Sequence, residues 1–333
     1  MQLASALDAP LYTERVGIEV DSSIDVRTFE VGPPAALDRL PFTEETNRIL
    51  AYENFEVPAE HDAVITTGIF ARSIIHHPYQ RRYHLLHTPT RWLFDRGTNL
   101  YADGITPIKW FQRLYQSIRR VHEQSIVPRI DDFVVNSEVI ARRLQTYYRR
   151  NSTAIIYPPV EIGTYVNMSR EGFLFHVGRL ETAKGIESMI EAVNGTDWTL
   201  KLAGTGTKEP KLRSKAGENV EFLGFVSEER KRELLATCDA LLFNAEHEDF
   251  GIVPVEALAS GKPVVAVNEG FTKYQIEEGV NGVLFERGVK NMRDAIERMY
   301  RQEWSADQIQ QTAERYSKER CINQWQELLQ GEG

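Results

Sequence analysis

Glu248 and Glu256, eight positions apart, are the residues of this 333-residue chain best placed to do chemistry. They lie in Cys238-Asp-Ala-Leu-Leu-Phe-Asn-Ala-Glu-His-Glu-Asp-Phe-Gly-Ile-Val-Pro-Val-Glu-Ala-Leu-Ala-Ser-Gly261. That stretch reads as a short buried strand over Ala240–Asn244, an acidic loop, and a helix opening at Pro254 and closing at Gly261. Proline inside the first turn and glycine just past the last are the expected punctuation. Gly251, between the glutamates, lets a backbone approach a ligand closely. One carboxylate then falls at a strand's carboxyl end and the other in the first turn of the next helix. Open α/β sheets bind ligands there, and free helix amides hold phosphate. The arrangement suits a sugar joined to a diphosphate. Arg179 and Lys184 flank the turn after another apolar run, Phe173–Val177. Both are placed to meet phosphate oxygens, Arg as a bidentate fork and Lys as a point charge.

The elements that must hold these groups follow from periodicity. Ala63–Thr67, Tyr83–Leu86 and Asp132–Val135 are short apolar runs consistent with parallel strands. Tyr157-Pro-Pro-Val160 forces extended backbone and marks a hinge. Beyond it, strands are expected at Phe173–Val177, Thr199–Ala203, Val220–Leu223, Ala240–Asn244, Pro263–Ala266 and Val283–Phe285. Helices fall between them, including Gly185–Val193, Glu228–Ala236 and Pro254–Ala259, and a last helical stretch spans Ala306–Leu329. Such alternation argues for parallel sheets covered on both faces, an α/β class with two Rossmann-like halves.

The composition is that of a globular protein, with 42% hydrophobic and 26% charged residues. No run of about 18 apolar residues exists to span a bilayer. The N-terminal residues lack a basic start and a long apolar core, so they do not read as a signal peptide. Two cysteines, Cys238 and Cys321, suggest buried thiols in a reducing cytoplasm rather than a disulfide framework. The net charge of −9 hides an asymmetry. Residues 67–150 carry 14 Lys and Arg against 6 Asp and Glu, net +8, interleaved with aromatic residues. No nucleic-acid module accompanies them, so nucleic acid is not the expected partner. An anionic membrane surface or a phosphate-bearing acceptor explains the block better. Within it, Lys109–Val121 has apolar residues at helical spacing, expected chiefly to dock on the protein's own core, with membrane attachment as the alternative.

The Glu-x7-Glu stretch resembles the retaining glycosyltransferases of family 4, which have the GT-B fold. Other stations occur in the same order: Phe173-Leu-Phe-His-Val-Gly-Arg-Leu-Glu-Thr-Ala-Lys-Gly185, Leu202-Ala-Gly-Thr-Gly206, Val220–Val226 and Val280–Phe285. Upstream, His87-Thr-Pro-Thr-Arg91, Val135-Asn-Ser137 and Ile156–Val160 resemble the family's N-terminal half, and the likeness runs from about Ala71 to the end. It implies an acceptor-side domain over 1–160, a nucleotide-sugar domain over 161–305, and a C-terminal segment, 306–333, returning to the first domain. The family's opening strand and glycine-rich turn have no counterpart here, so the first domain is expected to be incomplete and the activity of this chain reduced.

The resemblance also assigns roles. His87 and Glu248 would contact the transferred sugar, and Arg179 and Lys184 the diphosphate. Glu256 would take the ribose hydroxyls. Gly178, Gly204, Gly206, Phe250, Gly251, Ile252 and Val253 would complete the donor site, Phe250 serving equally as core. If the register slipped by two, Glu246 would replace Glu248. Gly204 and Gly206 fail the dinucleotide fingerprint and are weak evidence by themselves. Tyr274 stands where the family commonly has glutamate. His76, His77 and His84 lack a carboxylate at ligand spacing, and the chain has no Asp-x-Asp, so no metal or other cofactor is expected. The implied activity moves a mannose- or glucose-type hexose from a UDP- or GDP-linked donor to a glycan or lipid-linked acceptor, in the cytoplasm or on the membrane's inner face. A non-catalytic sugar-nucleotide-binding subunit and a GT-B epimerase are the alternatives.

Overall fold

The computed structural model describes residues 2–13, 22, 24–29, 43–94 and 107–331. They divide into two compact units, 1–156 with 324–333, and 157–323. Residues 95–106 of the basic block lie outside the described residues.

In the first unit the order is α1 (Gln2–Ala6), β1 (Leu11–Thr13), β2 (Val26–Thr28), α2 (Thr43–Glu53), β3 (Ala63–Thr67), β4 (Arg81–Leu86), α3 (Pro107–Ile126), β5 (Asp132–Val135), α4 (Glu138–Tyr148) and β6 (Ala154–Ile155). β1 and β2 pair in parallel by themselves. The strands β3-β4-β5-β6 form a second parallel sheet, in chain order. β4 begins two residues before the apolar run because two arginines extend it. Arg81 pairs with Asp132 at 2.6 Å, and buried Arg82 donates to the carbonyls of Ala71 (3.1 Å) and Arg72. Burying a guanidinium is tolerable when carbonyls replace its water.

A second buried arginine organises the His87–Arg91 stretch. Arg72 is ion-paired with Glu123 and donates to Tyr148 (2.8 Å) and Thr90 (2.9 Å), while Thr90 and Tyr148 donate to Glu123. Thr90 is thereby pinned from two directions, and His87 emerges exposed at the end of β4. His84 points inward and shares a 2.8 Å hydrogen bond with Thr66. His77 lies 3.4 Å from Glu56 and stacks on Tyr79.

The second unit contains β7 (Phe173–Val177), α5 (Ile186–Val193), β8 (Thr199–Ala203), α6 (Glu209–Lys215), β9 (Val220–Gly224), α7 (Glu228–Thr237), β10 (Ala240–Phe243), α8 (Ile252–Ala259), β11 (Val264–Val267), α9 (Thr272–Gln275), β12 (Gly282–Phe285), α10 (Val289–Arg301) and α11 (Ala306–Ala313). Its six strands are parallel, in the order β12-β11-β10-β7-β8-β9. This is a doubly wound sheet, with the strand order reversing between β7 and β10. Leu174, Leu200, Leu202, Leu242 and Val265 of the strands pack against Met189, Ile190, Met292 and Ile296 of the helices. Each fully buried aliphatic side chain of this kind contributes about 1.5–3 kcal/mol.

Three expectations need correction. The last helical stretch is not continuous but holds two α-helices, α11 and α12 (Lys318–Gln330), the latter passing from residues of the second unit into residues of the first. The break is made by Val160, whose amide donates to the Tyr316 carbonyl (3.1 Å) and whose carbonyl accepts from Lys318 (3.0 Å). α8 begins at Ile252 rather than Pro254, which moves Glu256 from the first turn to the second. And α3 does not dock through its apolar residues: Trp110, Phe111, Leu114, Ile118 and Val121 are exposed.

Candidate donor site

The reversal of strand order brings two loops together. The chain leaves β7 towards β8 and β10 towards β11, so the segments 178–185 and 244–251 meet beyond the carboxyl ends of neighbouring strands. Three contacts lock them. Asn244 donates to the Gly185 carbonyl (3.0 Å), the Glu246 amide donates to the Ala183 carbonyl (2.8 Å), and Lys184 donates to Glu248 (2.6 Å). Gly185 has φ +63°, and a Cβ there would lie 2.6 Å from the Asn244 carbonyl oxygen. Glu248, not exposed Glu246, therefore meets the lysine.

Arg179 stands at the rim of the same turn. Its side chain is exposed and makes no hydrogen bond or ion pair among the described residues. Gly178 is fixed by its amide to the Ala203 carbonyl at 3.0 Å. Beneath it lies His176, buried, with Nδ1 donating to the Leu242 carbonyl at 3.0 Å and Nε2 without a partner. Burial pushes this imidazole down to about 4. The unfolded chain takes up the proton near the ordinary value of about 6.5, so the folded form has its full stability above that pH. It loses stability as pH falls from about 6.5 towards about 4, by up to about 3 kcal/mol. His176→Phe is expected to flatten that decline, read by urea unfolding at several pH values; an unchanged slope would mean the imidazole is not held neutral.

Gly204 and Gly206 shape the site from the next loop. Thr207 donates to Glu181 through its amide (2.8 Å) and hydroxyl (3.0 Å), and the Leu180 amide donates to the Thr205 carbonyl (2.9 Å). The two glycine turns are thus one packed unit.

At the start of α8, Gly251 adopts φ +83° and accepts from Gln275 at 3.1 Å. The N-cap residue, Gly251, has no side chain to cap the helix, whose first amides are those of Ile252 and Val253. The Phe250 ring is buried among Tyr157, Phe271 and Tyr316, with centroids 5.3–5.8 Å away, so its side chain is core. Gly270 supports Glu248 from behind: the Phe271 amide donates to the Glu248 carbonyl (2.9 Å).

Glu256 is buried one turn further along. Lys231 of α7 donates to Oε1 at 2.8 Å and also bonds Glu228 at 2.8 Å. Burial raises the pKa of Tyr165, and the neighbouring Glu256 carboxylate adds to the shift. Burial lowers the Lys231 pKa, but its two carboxylate partners outweigh that and hold it above the usual lysine value. Sequence reasoning missed Lys231, which reads as one more charge in Glu228-Glu-Arg-Lys-Arg-Glu233. Lys231→Met strands a buried carboxylate and is expected to cost about 2–4 kcal/mol and weaken nucleoside diphosphate binding, with Lys231→Arg restoring part of both. Denaturation and calorimetry check this; unchanged stability in Lys231→Met would show that the pair is not coupled.

Among the described residues, no three His, Cys, Asp or Glu converge on a common point, and no helix is long and apolar enough to cross a membrane.

Residues 165–317 match the family described as Glycosyl transferases group 1. The human alpha-1,3/1,6-mannosyltransferase ALG2 is 25% identical over 291 residues, covering 75% of this chain and 67% of its own length. The D-inositol 3-phosphate glycosyltransferase of Mycolicibacterium smegmatis is 27% identical over 192 residues, 50% of this chain and 44% of its own. An uncharacterized glycosyltransferase of Methanocaldococcus jannaschii is 26% identical over 201 residues, 58% of this chain and 57% of its own. This chain thus spans between 44% and 67% of the length of these relatives. Among solved structures, sucrose-phosphate synthase from Thermosynechococcus elongatus superposes with a TM-score of 0.74 at 16% identity, covering 99% of this chain and 91% of that one. Anabaena HepE in complex with UDP-glucose superposes with a TM-score of 0.67 at 19% identity, covering 99% and 94%. The fold is that of the GT-B glycosyltransferases, and residues 165–317 are similar to the glycosyl transferases group 1 domain.

Proposed function

We propose that this chain is a retaining hexosyltransferase. It moves a mannose- or glucose-type sugar from a UDP- or GDP-linked donor to a glycan or lipid-linked acceptor, without a metal ion. The observation that carries this reading is the Lys184–Glu248 pair beside exposed Arg179, at the point where the strand order reverses. Two cations there neutralise a departing diphosphate, usually the largest catalytic contribution. The amides of Ile252 and Val253 add the positive end of α8. When diphosphate binds, Lys184 exchanges its carboxylate partner for phosphate oxygens and releases Glu248 to accept from sugar hydroxyls. Glu256, ion-paired with Lys231, accepts from the ribose. HepE was crystallised with UDP-glucose and ALG2 is a mannosyltransferase, which supports this class of donor.

The bond from the anomeric carbon to the phosphate oxygen breaks as the acceptor oxygen attacks from the same face. The acceptor proton passes to the departing phosphate oxygen. No enzyme nucleophile is invoked, and His87 is assigned to the sugar side of the reaction. The test is incubation with UDP- and GDP-hexoses and glycan or polyprenyl-phosphate-sugar acceptors in the presence of a chelator, with NMR of the product. A product with the donor's anomeric configuration is expected. Inversion, or loss of turnover on chelation, would refute the mechanism; donor binding without turnover would identify a sugar-nucleotide-binding subunit, and a changed free donor an epimerase.

A further inference from the structure

α3 is inverted relative to an ordinary surface helix, which buries its apolar stripe and exposes its polar face. Gln116, Arg119 and Glu123 are at most 5% exposed, whereas Trp110, Phe111, Leu114, Ile118 and Val121 are 43% to 69% exposed. At about 100° per residue, these five fall within an arc of about 100°, one continuous stripe. Hydrogen bonds fix the orientation from beneath. Gln116 donates to the Trp92 carbonyl (2.6 Å), Arg120 Nε to the Leu93 carbonyl (3.0 Å), and Glu123 takes Arg72, Thr90 and Tyr148. Rolling the helix to hide its apolar face would break all of these, so the stripe is held outward.

We propose that this stripe is a docking surface for an anionic lipid bilayer. Two features select that occupant. Lys109 and Arg113 run along one flank of the stripe, and the one acid of α3, Glu123, is buried and ion-paired with Arg72. The exposed side of this helix is therefore apolar and cationic in a chain of net charge −9, the pattern of helices that lie in a membrane interface. A second copy docked face to face would bring like-charged flanks together, which disfavours self-association as the alternative. Trp110 and Phe111, in the helix's first two turns, supply rings suited to the headgroup boundary. None of these residues belongs to the donor site, so the proposal stands or falls separately from the transferase reading.

The test uses the full chain with vesicles of phosphatidylcholine alone and of phosphatidylcholine mixed with phosphatidylglycerol. Sedimentation with the mixed vesicles is expected, weakened severalfold on raising salt from about 0.05 M to about 0.5 M. The double variant Phe111→Asp with Ile118→Asp is expected to bind at least about tenfold less, while its circular dichroism and melting stay as in wild type because both side chains are exposed. Equal binding by variant and wild type, or no sedimentation of either, would overturn the proposal. Concentration-dependent dimerisation that the double variant abolishes would do so too, giving the face to a second copy.

Discussion

Lys184→Met is expected to lower donor turnover about 10³-fold while changing folding stability by no more than about 1 kcal/mol. The two effects separate because the side chain is part-exposed, so its 2.6 Å pair with Glu248 adds little to the fold. The loss of turnover has two sources. One cation facing the diphosphate disappears, and Glu248, no longer neutralised, turns a bare carboxylate towards the same phosphates. The second source can be isolated. Adding Glu248→Gln to Lys184→Met removes the repulsion and is expected to recover part of the nucleoside diphosphate affinity, even though both changes remove proposed site groups. Steady-state kinetics and calorimetry on the two single variants and the double variant measure this. Strictly additive losses would show that the lysine and the glutamate do not share a ligand.

Gly204→Ala is expected to destabilise the second unit by at least about 3 kcal/mol, the largest stability effect of any single methyl addition in the glycine turns. Gly204 has φ +123°, where a side chain is strained, and its new Cβ would lie 1.9 Å from the Gly178 carbonyl oxygen. That neighbour is backbone, fixed by hydrogen bonds between the two turns, and cannot swing aside. The same contact predicts a functional consequence: any accommodation moves Gly178 and with it Arg179. Thermal unfolding should show the drop, and a melting temperature matching wild type would contradict the packed-turn account. Gly172→Ala is the control, since it has a positive φ of +79° but no atom within 4 Å of its Cβ.

The second unit was largely legible in the sequence because its signals were local. β7 and β8 have the bounds that their apolar runs define, and α7 gains one residue over the expected helix. The acidic loop and its glycine located Glu248 as well. What the sequence concealed was burial of charge. Arg81 and Arg82 lie outside the apolar run but open β4, Lys231 reads as one more charge but grips Glu256, and the polar face of α3 lies inward. Periodicity assigns a helix face by hydropathy, and it fails where a buried Glu123 and Arg72 neutralise each other. The roles of Gly204 and Gly206 were hidden for a different reason. A glycine pattern fits both phosphate approach and contact between loops, and only the Gly178 and Leu180 backbones reveal the contact.

The most direct test of the donor site is calorimetric titration of wild type and Arg179→Ala with UDP and with GDP. Arg179 is exposed and its side chain makes no hydrogen bond or ion pair among the described residues, so its removal is expected to leave the fold intact and report on the ligand. Binding of one nucleotide by wild type, weakened about tenfold or more in Arg179→Ala and again in Glu256→Gln, is the predicted result. Equal affinity in wild type and both variants would place the diphosphate elsewhere and contradict the account.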